Sequence, residues 1–331
     1  MTKTMTRGVV FLALATILAL VAACGGGDDE EATQTPEETE EATENSKEEV
    51  KADSVAVDLP FWHAGWKVTV GEATLTPGDF GAGEVSLGAE FENLGVDQAT
   101  FDSQLILTSG GNDYADESFD GHDFPDVPGE RTGKGSFNFQ VDEEFSLDDA
   151  TLIVGNAQNN QAIVPIGPDG DEHVSLEPQQ IAATGDVTAG AVTATVERAE
   201  ARADLPDRHS EMEEGKLALT VFFSVTPATG IQIGQGVFQS QNVALELPDG
   251  TSVAVIDDGV SGVNELLQGR EGTTISDLQV RFPVDEPVEG TYKFVVKGPY
   301  GPGGAQVEGE LAFVVEPAAE TDDEDTSTPV Y

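Results

Sequence analysis

A chain of 331 residues with 62 Asp and Glu against 15 Lys and Arg carries a formal net charge of -47 at pH 7. Nucleic-acid affinity arises when Lys and Arg displace counterions condensed on phosphates, so this balance excludes nucleic acid as a partner. The single cysteine, Cys24, excludes a disulfide framework and Cys-ligated zinc, and the length allows two domains of ordinary size.

Residues 1–23 open with Lys3 and Arg7 ahead of an apolar run from Val9 to Ala23, the charge and hydropathy order of an export signal. The run is shorter than the about 20 apolar residues a permanent membrane helix needs. Val21-Ala22-Ala23-Cys24 resembles a bacterial lipobox, which implies cleavage before Cys24 and acylation of its thiol, palmitate included; ordinary secretory cleavage after Ala23 uses the same small residues. Two or more acyl chains, at about 0.8 kcal/mol per buried methylene, make a stable anchor. The expected address is therefore the extracytoplasmic face of the cell membrane, with the membrane itself as a partner through the lipid.

Residues 24–57 read as an acidic tether, because Asp28 to Glu49 is dense in Asp, Glu, Thr and Pro; residues 317–331, with Glu320-Thr321-Asp322-Asp323-Glu324-Asp325, repeat that composition. So few apolar residues cannot offset ordering entropy, and both stretches are expected to be disordered. From Gly25 to Ala52 a coil reaches about 30 Å, further if its charges repel.

Residues 58–167 change to short alternating runs punctuated by Gly, Pro, Asn and Asp. Val85, Leu87, Ala89 and Phe91 alternate with Ser86, Gly88 and Glu90, and the two-residue period returns at Phe137, Phe139 and Val141. Trp66 to Thr76, Gln104 to Thr108, Thr151 to Val154 and Ala162 to Ile166 are further predicted strands. No amphipathic helical period appears. After a turn-rich linker at 168–186, residues 187–316 repeat the pattern: Leu217, Leu219, Val221, Phe223 and Val225 alternate along the longest run, from Lys216 to Thr226, which is a candidate sheet edge. Ala191 to Ala199, Val243 to Leu247, Ser252 to Ile256, Leu278 to Val284, Tyr292 to Lys297 and Glu310 to Val315 complete the set. The fold class is therefore all-β, with two tandem immunoglobulin-like β-sandwich domains after a signal peptide and disordered acidic tether.

Two short matches recur in order. Phe101-Asp102-Ser103-Gln104 corresponds to Phe238-Gln239-Ser240-Gln241, each before a strand, and Val141-Asp142-Glu143 to Val284-Asp285-Glu286, each after one. A diverged tandem duplication explains both. The lipobox, the tether, Phe91-Glu92-Asn93-Leu94-Gly95, and the turn Val127-Pro128-Gly129-Glu130 before the Phe137 strand together resemble the surface-lipoprotein domains related to mycobacterial secreted immunoprotective antigens. The resemblance spans Phe61 to Gly167 and, more weakly, Val187 to Glu316, where Ser224-Val225-Thr226 replaces Asn-Leu-Gly. It implies an immunoglobulin-like β-sandwich outside the cell and brings no catalytic residues.

Candidate chemistry is sparse. His63, His122, His173 and His209 stand singly, without zinc spacing, and read as solvated loop histidines. There is no Gly-x-Ser-x-Gly elbow, and Gly81-Ala82-Gly83 lacks a dinucleotide context. Asp113, Asp116, Asp120, Asp123 and Asp126 form the one pointed acidic constellation, a candidate irregular calcium site; Val127 stands where an EF-hand needs its bidentate Glu, and a solvated acidic loop is the plain alternative. Phe61, Trp62 and Trp66 bunch at the tether's entry, as a partner-contact surface or as core capping the domain. The expected function is non-enzymatic, with no cofactor beyond that calcium: a lipid-anchored surface protein presenting β-sandwich modules to a protein, glycan or envelope component. An acidic envelope spacer without a ligand is the alternative, followed by a hydrolase using paired carboxylates.

Overall fold

The computed structural model describes residues 52–78, 82–115, 121–229, 231, 236–256, 263–285 and 289–315. The expected signal, Cys24, most of the tether and the acidic tail lie outside the described residues. Among the described residues the architecture is all-β: every sheet is antiparallel and there is no α-helix.

In the first body, β1 (Asp53–His63), β2 (Trp66–Pro77), β3 (Gly83–Asn93) and β8 (Thr132–Val141) form one sheet in the order β1-β2-β3-β8. A second sheet, ordered β10-β9-β5-β6, comprises β5 (Leu105–Ser109), β6 (Asn112–Ala115), β9 (Thr151–Val154) and β10 (Ala162–Pro165), while β4 (Ala99–Thr100) pairs with β7 (Asp126–Val127). The two-residue period explains why these sheets share one core. Val85, Leu87 and Phe91 of β3 and Phe137 and Phe139 of β8 are buried in the same apolar cluster as Leu107, Leu152, Val154 and Val164 from the other sheet. Each such side chain contributes about 1.5–3 kcal/mol by leaving water.

The second body repeats this order. β11 (Gln179–Ile181), β13 (Val192–Arg202), β16 (Lys216–Pro227) and β21 (Ile275–Asp285) form one sheet, with β12 (Gly185–Ala189) also on β13. The other, ordered β19-β18-β22-β23, comprises β18 (Val243–Glu246), β19 (Ser252–Val253), β22 (Gly290–Gly298) and β23 (Val307–Val315); β17 (Val237–Gln239) pairs with β20 (Asn264–Leu266). Val221, Phe223, Phe282, Phe294 and Phe313 meet in a separate apolar cluster. Thus β2, β3 and β8 occupy the places of β13, β16 and β21, and β5 and β9 those of β18 and β22. Phe101 and Phe238, from the first matched tetrapeptides, are both buried.

Three expectations change. β1 starts at Asp53, inside the stretch 24–57 read as tether: Val55 and Val57 pack against the first core, while the acidic composition up to Glu49 and the exposed Asp53, Ser54 and Asp58 hid an edge strand. The linker 168–186 carries β11 and the first residues of β12, and it is pinned to the first body. Val174 exchanges backbone hydrogen bonds of 2.9 and 3.0 Å with Ile163, and Trp62 N–H donates to Ser175 at 2.8 Å. The strand from Lys216 is no edge, since β16 lies between β13 and β21. Its outward Thr220 is buried too, between its cross-strand partners Glu200 and Arg281. All described residues fall within one compact unit.

Candidate functional site

The site begins with a difference between the two bodies. Residues 78–82 suffice to join β2 to β3, whereas the equivalent β13 and β16 are joined through the longer excursion Ala203–Gly215. It carries β14 (Asp204–Leu205), a turn at Pro206–Arg208 and β15 (Ser210–Glu211), and it lands on the hairpin between β1 and β2. That hairpin turns on Ala64 and Gly65, whose φ values of 47° and 79° suit a two-residue turn in which both central residues are left-handed. Gly65 is also required by contact: a Cβ there would lie 2.8 Å from Pro206 Cα and O.

The hairpin's backbone donors point at the excursion's acids. Gly65 N–H donates to Asp204 Oδ2 at 2.6 Å, and Ala64 N–H donates to Glu211 Oε1. Asp204 Oδ1 accepts from Arg202 Nε at 2.7 Å, and Arg202 Nη1 donates to Glu200 Oε1 at 3.0 Å. Glu200 Oε2 takes bonds from Arg198 Nη1 at 3.1 Å and Gln180 Nε2 at 2.9 Å. A second seam runs through Asn160, whose Nδ2 donates to Lys216 O at 2.8 Å while its Oδ1 accepts from Gly215 N–H at 3.0 Å.

His63 closes the cluster. Its Nδ1 lies 3.2 Å from Glu211 Oε1, with side-chain exposures of 4% and 3%. The approach is not aligned for a hydrogen bond, and His63 Nδ1, Glu211 Oε2 and Arg202 Nη2 have no hydrogen-bond partner. Burial pulls the His63 imidazole down to about 4, against the raising influence of Asp204. Burial, with Asp204 adding to it, pushes the Glu211 carboxyl up to about 9, against the Ala64 N–H and Arg202. Glu200 is held below the usual carboxylate range: its burial acts the other way and is outweighed by Gln180, Arg202 and Arg198.

Beside this pair lies a pocket of about 280 Å³. Asp102, Ser103, Asn156 and Asn159 line it from the first body, and His209 and Ser210 from the second. The volume is near the lower end of the roughly 300–1,000 Å³ of small-molecule sites.

Of the residues singled out by sequence, Cys24, Asp116 and Asp120 lie outside the described residues. Asp113 sits in β6, Asp123 bridges Ser136 through its backbone, and Asp126 accepts from the Thr100 hydroxyl. Among the described residues no three His, Cys, Asp or Glu side chains gather to hold a metal ion. Phe61 and Trp66 are not a contact surface: they are 0% and 1% exposed, because they face the first core. Trp62 alone of the three is partly accessible, with Lys67 Nζ 5.1 Å from its ring. His63 is no solvated loop histidine but a buried strand-end residue. The other three also have partners: His122 Nδ1 accepts from Asn138 N–H at 3.0 Å, His173 Nε2 lies 3.0 Å from Pro60 O, and His209 Nδ1 lies 3.3 Å from Ala64 O. Asn93, from the Phe-x-Asn motif, is fully buried and donates to Asp97 O and Val127 O, a structural role.

Compared with known proteins, the chain matches no protein-family model, and no curated protein is similar to it in sequence.

Proposed function

We propose that this chain is a lipid-anchored, non-enzymatic surface protein whose two immunoglobulin-like β-sandwich modules, products of a tandem duplication, bind a protein, glycan or other envelope component through the pocket at their junction. The observation that carries this reading is the pocket: both modules contribute polar side chains to it, from loops held by paired sheets. The repeated strand order and the shared core of each sheet pair support the sandwich and the duplication. Lys3, Arg7, the apolar run and Cys24 support export and the palmitate-bearing anchor, and the likeness to surface-lipoprotein antigen domains points the same way. A hydrolase is the weaker reading, since Glu211, the perturbed carboxyl at the pocket, is sealed from solvent and already accepts from Ala64.

Affinity capture from native membranes tests the proposal, with the lipidated chain, a Cys24→Ser chain and a pocket variant combining Asp102→Ala with Asn156→Ala. The pocket variant should stay in the membrane fraction yet lose the partner, and Cys24→Ser should leave the membrane. Capture that survives the pocket substitutions overturns the binding site, and absence of palmitate label on the unaltered chain overturns the anchor.

A further inference from the structure

The two bodies meet through polar groups, not through a common core. Their cores are separate apolar clusters, and His63, Asp204 and Glu211 lie at the junction beside the few buried apolar residues of the hairpin and the excursion, Ala64, Ala203 and Leu205. The charges around Glu211 are already matched without it. Arg202 serves Asp204 and Glu200, and Arg198 also serves Glu200, so two guanidiniums face two carboxylates. What faces Glu211 from the first body is the Ala64 N–H and the His63 ring; from its own body it is Asp204, with Arg202 behind. His209, at the same edge, is turned to Ala64 O; Asp102 lines the adjoining pocket from the first body, and Asp207 and Arg208 sit in the turn before His209. Among the described residues no Arg or Lys forms an ion pair with Glu211, since Arg202 spends Nε and Nη1 on Asp204 and Glu200, and Glu211 Oε2 has no donor.

We propose that the junction is a proton-linked clasp: His63 and Glu211 share one acidic proton, the two bodies lock while it is present, and its removal loosens the junction and opens the neighbouring pocket. With one proton the pair enters the interface without net charge, whether the proton sits on oxygen or nitrogen. Without it a carboxylate is buried beside Asp204; with two protons an imidazolium is buried without an anion of its own. Either state carries the large cost of an unmatched charge out of water. The inference does not depend on what the pocket binds.

The direction of the response follows. Separated, Glu211 and His63 titrate near their ordinary values of 4.5 and 6.5; docked, they titrate near 9 and 4. Between pH 4.5 and 6.5 the separated pair, as carboxylate and imidazolium, holds one proton, as the docked pair does, and docking is flat. Above 6.5 the separated pair holds none while the docked pair keeps its proton up to about 9. Docking must weaken as pH rises through that window, by roughly tenfold per pH unit.

Amide hydrogen exchange on the full chain, corrected for the intrinsic pH dependence of exchange, reads this directly. Protection of the Ala64 and Gly65 amides, which donate across the junction, should fall roughly tenfold per pH unit above pH 6.5, while Leu87 and Phe223 in the two cores hold. Glu211→Gln, close in shape to the protonated acid, should abolish that fall. A wild type flat above pH 6.5, or an unchanged slope in Glu211→Gln, overturns the clasp. So does a Glu211→Gln chain that fails to fold, since a neutral amide would then not replace the neutral acid.

Discussion

Gly65 and Asp204, each from a different body, are joined by a 2.6 Å hydrogen bond from backbone N–H to carboxylate, and the same carboxylate takes Arg202 Nε at 2.7 Å. Asp204 therefore couples the β1–β2 hairpin to the end of β13. At 3% exposure it has little access to water as a substitute partner. Asp204→Ala should cost about 3–5 kcal/mol, because Arg202 keeps its buried charge and loses one of its two anions. Urea unfolding of the full chain gives the loss, and Asp204→Asn, which keeps an acceptor for Gly65, should lose less.

The His63 ring is held by the shape of the strand behind it. Gly155 ends β9 at φ 99°, and a Cβ at that position would stand 2.7 Å from His63 Cε1. Gly155→Ala therefore combines backbone strain with overpacking and should destabilise by about 1–3 kcal/mol. Because the ring must shift, protection at Ala64 should fall more than protection in either core, as measured by hydrogen exchange.

The two tryptophans should respond to different degrees. Trp66 is buried edge-on to Phe101, ring centroids 6.0 Å apart, and lies 5.5 Å from the His209 ring across the junction. Trp66→Ala should cost about 3–5 kcal/mol in thermal or urea unfolding. Trp62 retains only partial cover and one Lys67 contact, so Trp62→Ala should cost about 1 kcal/mol or less. If the two losses were equal, the burial assigned to Trp66 would be wrong.

Why the sequence shows the strands but hides the site follows from the range of each signal. Val85 to Phe91 and Leu217 to Val225 alternate because one sheet face meets a core, and a period of two is visible within one segment. β1 is the weaker case: Val55, Val57, Leu59 and Phe61 keep the period, but Asp53, Ser54 and Asp58 beside them match the tether in composition, Asp58 has φ 50°, and the pairing with β2 shifts between Ala56 and Leu59. The site has no local signature at all. His63 and Glu211 come from strands far apart in the chain, and one Glu among 62 acids carries no mark. The legible clue was length: once β3 and β16 are aligned, Ala203–Gly215 exceeds residues 78–82, and a longer connection between corresponding strands needs something to pack against.

His63 supplies the last test, because its removal should move the pH dependence in a direction opposite to that of Glu211→Gln. In the unaltered chain the separated imidazole takes up a proton below pH 6.5, matching the proton kept by docked Glu211, so the alkaline decline starts near 6.5. Replacing it by His63→Gln removes that match. The separated form then holds no proton from pH 4.5 upward, while docked Glu211, still buried and still beside Asp204, keeps one up to about 9. A group whose folded pKa is raised gives stability that is full below its unfolded pKa and is lost on the way up to the folded one. The decline in His63→Gln should accordingly begin about two pH units earlier than in the wild type, near 4.5. Urea unfolding across pH 4 to 9, taken as the difference between variant and wild type so that the other carboxylates cancel, measures that onset. An onset unmoved by His63→Gln would mean that docking takes no proton from His63, and the clasp would lose one of its two members.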